Sequence, residues 1–300
     1  MKKSLIFVLC FMFVLSSYSQ SNILNATTPD EIGIQNFDQK QTDNDSFLEF
    51  DYIDDRDILW SKVVYEKIDL NEKINFPLLF PVNDETYEKN RKSLWRILKE
   101  NILNKNITEL YFDRNDNFKD KMTYNDVMEV ISFSEMINGV QTPAEELKSI
   151  DISAYRIKGM WYFDKRQGEM KYRLLGLMPV GKNLKDDDGK NNTDLFWIWY
   201  PSIRKVLHKE QVFNDKNNAN RISFDQLLVS RRFSSFIYKE DNVYGDRAIK
   251  DYKMPGLESI LESERIKKKF LILNKICGID NPTYYTLFFI SFYYKILSVC

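Results

Sequence analysis

The sequence predicts an α+β domain, with helices interleaved with an antiparallel sheet that contains a hairpin near residues 158–177. Three observations carry this reading. Glu169 to Leu174 alternates polar and apolar residues one by one, the mark of a half-buried antiparallel strand. Leu94, Ile97, Leu98 and Ile102 form an apolar stripe at i, i+3, i+4 and i+8, the mark of a helix buried on one side. No repeat and no alternating strand–helix rhythm with glycine-rich crossings runs along the chain, which argues against a parallel α/β sheet.

Order begins after a polar stretch. Residues 20–53 are rich in Asn, Asp, Gln, Ser and Thr and read as a flexible leader, with Phe47 to Tyr52 apolar enough for a short docking strand. The phrase "DRDILWSKVVYEKIDL" then reads as a helix. Ile58, Leu59, Val63, Ile68 and Leu70 fall at mixed helical intervals, and Asp54, Asp55 and Asp57 sit where a helix N-terminus favours acids. Pro77 and Pro81 are expected to end it in an extended segment. A helix over Thr86 to Asn104 follows, then a strand at "ITELYFD" and a weaker helix from Tyr124 to Glu135.

In the hairpin, Met160 to Phe163 is apolar on both faces and should lie centrally. Asp164 to Gly168 closes it, with Gly168 free to take the left-handed conformation such turns often need. The charges of that loop are explained by its being wet. "KNLKDDDGKNNTD" reads as a solvated loop and "LFWIWYP" as a strand stopped by Pro201. A helix through Ile203 to Glu210, a helix opened by Ser223 with Phe224, Leu227 and Leu228 on one side, and a last strand at "FSSFIY" complete the body.

The chain of 300 residues is 43% hydrophobic, enough to fill a core. Its first residues do not belong to that core. Lys2 and Lys3, the apolar run Leu5 to Leu15 and the small residues Ser17 and Ser19 read as a signal peptide over residues 1–19, too short to span a bilayer. Cys10 does not mark a lipoprotein, because Leu9 stands where a small residue is needed. The other cysteines are Cys277 and Cys300, so an exported body free of disulfides is expected. Formal net charge is −1, with positive charge concentrated in Lys2, Lys3 and the lysines beyond Ile266. The body between is acidic and offers no electrostatic reason to bind nucleic acid or an anionic membrane surface.

The search for chemistry yields no catalytic, cofactor or metal residues. His208 is the single histidine, in "KVLHKE", read as a wet helix face. In "DRNDNF", Asp113, Asn115 and Asn117 match the first three ligands of a calcium loop, but the required Gly is Phe118 and the bidentate Glu falls on Tyr124. "LKDDDG" places Gly189 correctly, yet Leu184 and Leu195 fall where ligands must be. No phosphate loop or nucleophile elbow is present, and the Glu145–Glu146 pair has no cleft to give it meaning.

Four phrases in one order carry a resemblance. "ILWSKVVYEKIDLNEKINFPLLFP", "IKGMWYFDKRQGEMKYRLLGLMPV", "LFWIWYPSIRKVLHKEQVFN" and "ISFDQLLVSRRFSSFIYKEDNVYGDRAI" resemble the GldN/PorN family, gliding-motility and type IX secretion proteins of Bacteroidota. The resemblance runs from about Ile58 to Lys267. It implies a periplasmic, non-enzymatic machine part, peripherally associated with the outer membrane. Such a part builds a ring with an outer-membrane lipoprotein (GldK/PorK) and meets the periplasmic arm of the inner-membrane motor (GldM/PorM). It offers no catalytic residues to carry over. Partner surfaces are not assigned by it. Trp161, Phe163, Trp197 and Trp199 exceed what one core face needs and are the candidate interface residues; the other reading has all four filling the domain's own core.

A GldN-like domain is therefore expected over 54–266, with an atypical tail at 267–300. The family ends its last helix in polar residues. Here the text becomes rich in Phe, Ile, Leu, Tyr, Lys and Asn, as AT-rich DNA does when read out of frame, which places a frameshift near Ile266 to Phe270. A membrane-attaching tail is the rival reading, but the apolar run Tyr284 to Tyr294 falls short of the ~20 residues a spanning helix needs. The corresponding functional alternatives are a periplasmic hydrolase and a tail-anchored envelope adaptor.

Overall fold

The hairpin expected at 158–177 is the middle of a larger sheet. A computed structural model describes residues 47–83, 91–114, 117–134, 136–137, 140–141, 144–185, 191–212 and 222–277. By its contacts the chain divides into Met1–Leu48 and Glu49–Cys300. Only Phe47 and Leu48 of the first unit are among the described residues, and every element below belongs to the second.

In chain order these are β1 (Ile58–Asp69), α1 (Phe76–Leu79), α2 (Leu94–Leu103), β2 (Leu110–Tyr111), α3 (Tyr124–Ile131), β3 (Ser132–Phe133), β4 (Met136–Ile137), β5 (Val140–Gln141) and β6 (Glu145–Glu146). There follow β7 (Ile152–Asp164), β8 (Glu169–Lys182), β9 (Asn192–Asp194), β10 (Trp197–Trp199), α4 (Tyr200–Lys209), β11 (Gln211–Val212), β12 (Ile222–Ser223), α5 (Phe224–Val229), β13 (Phe236–Glu240) and α6 (Leu257–Cys277). The main sheet runs β13-β1-β7-β8-β10-β2, with β9 beside β8, and its pairings are antiparallel. This is the α+β architecture that the alternation and the helical stripe implied. Gly168 closes the β7–β8 turn at φ +67°, the left-handed region where a side chain is disfavoured.

The helix expected at 54–70 is instead the strand β1. Its residues Ile58, Val63, Val64 and Ile68 are β-branched and stiff, which favours a pleated backbone. The strand lies between β7 and β13 with Val64, Tyr65 and Glu66 buried in succession, so both faces are covered and no simple alternation survives in the sequence. The acids read as a helix start cap only a single 3-10 turn, Asp55–Asp57, where Asp54 accepts from the Arg56 amide.

Pro77 does not extend the chain. It sits in the first turn of α1, where its missing amide costs nothing. Pro201 likewise ends β10 but opens α4, three residues earlier than expected. The helix expected from Thr86 is α2, capped by Ser93, whose hydroxyl accepts from the Arg96 amide; residues 84–90 lie outside the described set. The strand expected at 107–113 shortens to β2. The Tyr124 helix carries a Thr123–Asp126 capping box and ends at Ile131, where β3 begins. Phe47 to Tyr52 forms no strand.

Strand pairing sorts the sheet into two faces. On one, Ile68, Tyr155, Ile157, Leu177 and Ile198 join the buried stripes of α2, α4 and α5 in the principal core. Beside it on the same face, Val64, Ile237 and Ile249 meet Ile266 and Phe270 of α6. The position expected to begin the atypical tail, Lys267, falls inside this helix, one turn before the buried Phe270. The third cluster is Tyr65, Met178 and Trp197 with Val63, Tyr111, Phe118 and Tyr238; no helix residue belongs to it. Among the described residues the sheet's second face is therefore open only in the sense that no helix packs on it; its own side chains cover it. No helix among the described residues is long and apolar enough to cross a membrane.

Candidate interaction surface

The four aromatics singled out from sequence land in different surroundings. Trp161 stacks on Phe270 at 5.6 Å and leans on Tyr172 at 5.1 Å, under α6. Phe163 is only 5% exposed and Trp197 only 2%. Trp199, half-buried at the end of β10, is the one that reaches a groove on the open face.

That groove, about 650 Å³ in volume, is lined by Glu109, Tyr111, Asn117, Phe118, Lys158, Leu175 and Trp199. Its centre is Phe118. The ring lies edge-on to Trp199 at 4.9 Å, Tyr111 at 5.5 Å and Trp197 at 6.0 Å, the arrangement aromatic quadrupoles prefer. Two departures from the ordinary place it there. Phe118 has φ +53°, a conformation a bulky residue rarely adopts. Beneath it Gly176 leaves the space, since a Cβ there would stand 2.5 Å from Phe118 Cζ and 3.1 Å from Trp197 Cε3. The sequence signal was visible and misread: Phe118 is the residue that spoiled the calcium loop, and its role is to fill an aromatic box.

Cations are laid across the rings. The Lys158 ammonium sits 5.2 Å from the Tyr65 centroid and 5.4 Å from Phe118, while Lys239 approaches Tyr65 to 4.5 Å. Arg156 lies 5.0 Å over Tyr238 and pairs with Asp194 at 2.5 Å. Long side chains spread over apolar rings are how this face hides its hydrophobic area without a helical layer. Burial pushes the Asp194 carboxyl above its usual value even though Arg156 opposes the shift. At the groove's rim, Tyr111 donates to Glu109 at 2.6 Å, which pushes its hydroxyl up to about 12. Lys121, also 2.6 Å away, holds the Glu109 carboxyl below its usual value, with help from the Tyr111 bond.

On the helical face the polar groups are structural clamps. Glu66, fully buried, accepts from Arg231 at 2.6 Å and from the Ser235 hydroxyl at 2.5 Å. The same guanidinium lies 4.2 Å over Tyr172. Arg204 grips Asp225 through two bonds of 3.0 Å, and Tyr200 donates to the same carboxylate at 2.8 Å. Phe50 covers Arg204 at 4.1 Å, so the last part of the expected leader is tied to the body. Among the described residues no cluster of His, Cys, Asp or Glu could hold a metal ion.

A family model described as gliding motility associated protein GldN matches residues 53–275. The chain belongs to the GldN family. No curated protein matches it. The GldN match begins just before β1 and ends inside α6, so it takes in both faces of the sheet, the groove and the clamps. In this GldN domain the groove brings together aromatic rings, an ammonium group, a carboxylate and an amide.

Proposed function

We propose that this protein is a non-enzymatic structural subunit of the type IX protein secretion and gliding machinery. It works in the periplasm, peripherally associated with the outer membrane, where it forms a ring with a GldK/PorK-like lipoprotein and meets a GldM/PorM-like motor arm. The observation that carries this is the extent of the GldN match, which spans the described body from the entry of β1 into α6. Residues 1–19 are the signal peptide that delivers the chain to the periplasm, and residues 20–53 the leader that follows. Residues 54–266 are the GldN-like domain and residues 267–300 the atypical tail, with the frameshift near Ile266 to Phe270.

Co-expression with the lipoprotein partner tests this, with the chain tagged after the signal peptide and pulled down from the outer-membrane fraction. Recovery of a large complex containing both proteins is expected. A chain that stays soluble and alone, with or without its tail, would rule the reading out.

A further inference from the structure

α6 is apolar on two sides, and the domain uses one of them. Ser263, Ile266 and Phe270 turn inward, where Ile266 and Phe270 join Val64, Ile237 and Ile249. The Ser263 hydroxyl accepts from the Ile237 amide at 2.8 Å and fixes that side against β13. The opposite side carries Leu257, Ile260, Leu261, Leu271 and Ile272, exposed by 72%, 55%, 59%, 63% and 54%. A lone exposed leucine is ordinary, but a row of them along one helix face marks a contact surface. Leu261, Glu264, Lys268 and Leu271 follow one another at the alternating spacing of a two-helix seam, with Glu264 and Lys268 also exposed. Charge divides along the same helix. Within α6, Glu258, Glu262 and Glu264 precede Ile266, and Lys267, Lys268 and Lys269 follow it. Arg265, the base before Ile266, is bound to Glu262 at 2.8 Å.

We propose that this outer seam of α6 pairs with the same seam of a second copy of the chain. The two helices run antiparallel about a twofold axis near Ile266. In that register Leu261 faces Leu271 of the second copy and Glu264 faces its Lys268, and symmetry makes each contact twice. Ile260 and Ile272 flank the seam on either side. Charge complementarity selects both the occupant and its direction. A parallel pairing would set Glu264 against Glu264 and Lys268 against Lys268, whereas the antiparallel one joins acid to base and opposes the helix dipoles. Glu264 reaches its own Lys267 at 3.1 Å, and a carboxylate has a further oxygen for the lysine of the second copy. A rival occupant is the chain's own apolar run Tyr284 to Tyr294, but it holds no acid to meet Lys268. Lys268, Leu271 and Ile272 lie in the atypical tail, so the seam belongs to this chain's own sequence. The pairing also goes beyond the machine-part reading, because an isologous contact closes at two copies and cannot by itself grow a ring.

The test is sedimentation velocity of the full chain over a series of concentrations. A reversible monomer–dimer equilibrium is expected, of micromolar strength because one helix on one helix is a small interface. Glu264→Lys and Lys268→Glu should each weaken dimerisation by about tenfold or more, since each sets like charges across the seam twice. An equimolar mixture of those two variants should dimerise as the parent does, because each offers the charge the other lacks. The double variant carrying both changes should do the same, which a parallel pairing does not predict. These side chains are exposed in the single chain, so the thermal midpoint of the dilute variants should not move. Phe288→Asp combined with Phe289→Asp, in the tail, should leave the dimer unchanged. A chain that stays monomeric throughout, a dimer indifferent to the charges, or a mixture that fails to dimerise would overturn the proposal. So would a dimer lost in the tail variant, which would make the tail the contact. The measurement needs no lipoprotein, so its failure is separable from failure of the pulldown.

Discussion

At Gly159 a single methyl group has nowhere to go. A Cβ built there would stand 2.1 Å from the hydroxyl oxygen of Tyr172, whose ring is packed against Trp161 and under Arg231. Gly159→Ala should therefore force the ring aside and cost about 1–3 kcal/mol, read as a lower urea midpoint with unchanged slope. The Glu66–Arg231 pair gives a larger effect. Arg231→Met strands a fully buried carboxylate and should cost about 3–5 kcal/mol. Adding Glu66→Gln to that variant should restore part of the loss, because the uncompensated charge is gone; a double variant as weak as the single would deny the pair its role. None of this was legible in the sequence. Glu66 reads there as one more acid in a charged phrase, and Arg231 is 165 positions away.

Between elements, legibility depended on whether one face of a segment is wet. The β7–β8 hairpin and α2 announce themselves through polar faces that keep their period intact. β1 does not, because neighbours cover it on both sides and its period is lost. Its pairing with β13 joins residues from opposite ends of the domain, a contact no local pattern encodes. The start of α2 supplies a pH-dependent prediction. Burial works against the Glu100 carboxylate, but bonds from Lys92 at 2.7 Å and Arg96 at 2.8 Å outweigh it and hold its pKa below 4.5. A depressed carboxylate stabilises the fold above its unfolded value, and that stability is lost as pH falls through the folded one. Glu100→Gln should accordingly lower the thermal midpoint at pH 7, with the gap to the parent closing below about pH 4. A gap that widens on acidification would reverse the sign of this argument.

Across the whole molecule, α6 closes the helical face and the open face is left to side chains. Phe270 joins α6 to Trp60 at 5.7 Å and to Trp161. Phe270→Ala should cost about 3–5 kcal/mol and release α6 first, seen as lost hydrogen-exchange protection along Leu257–Cys277 while β7 stays protected. Equal loss of protection throughout would mean that α6 is not a separable unit. Of the candidate surface, the sequence pointed to Trp199 and missed Lys158, Phe118 and Tyr111, because side chains meet there from separate strands and a loop. β7 is bonded to β1 on one side and to β8 on the other along nearly its full length. A tension directed along those strands meets every rung of backbone hydrogen bonds in shear at the same moment, so none can be peeled before the rest. Resistance of that kind is set by the unfolding rate under force, and it makes the three long strands the part of this domain best shaped to bear a mechanical load.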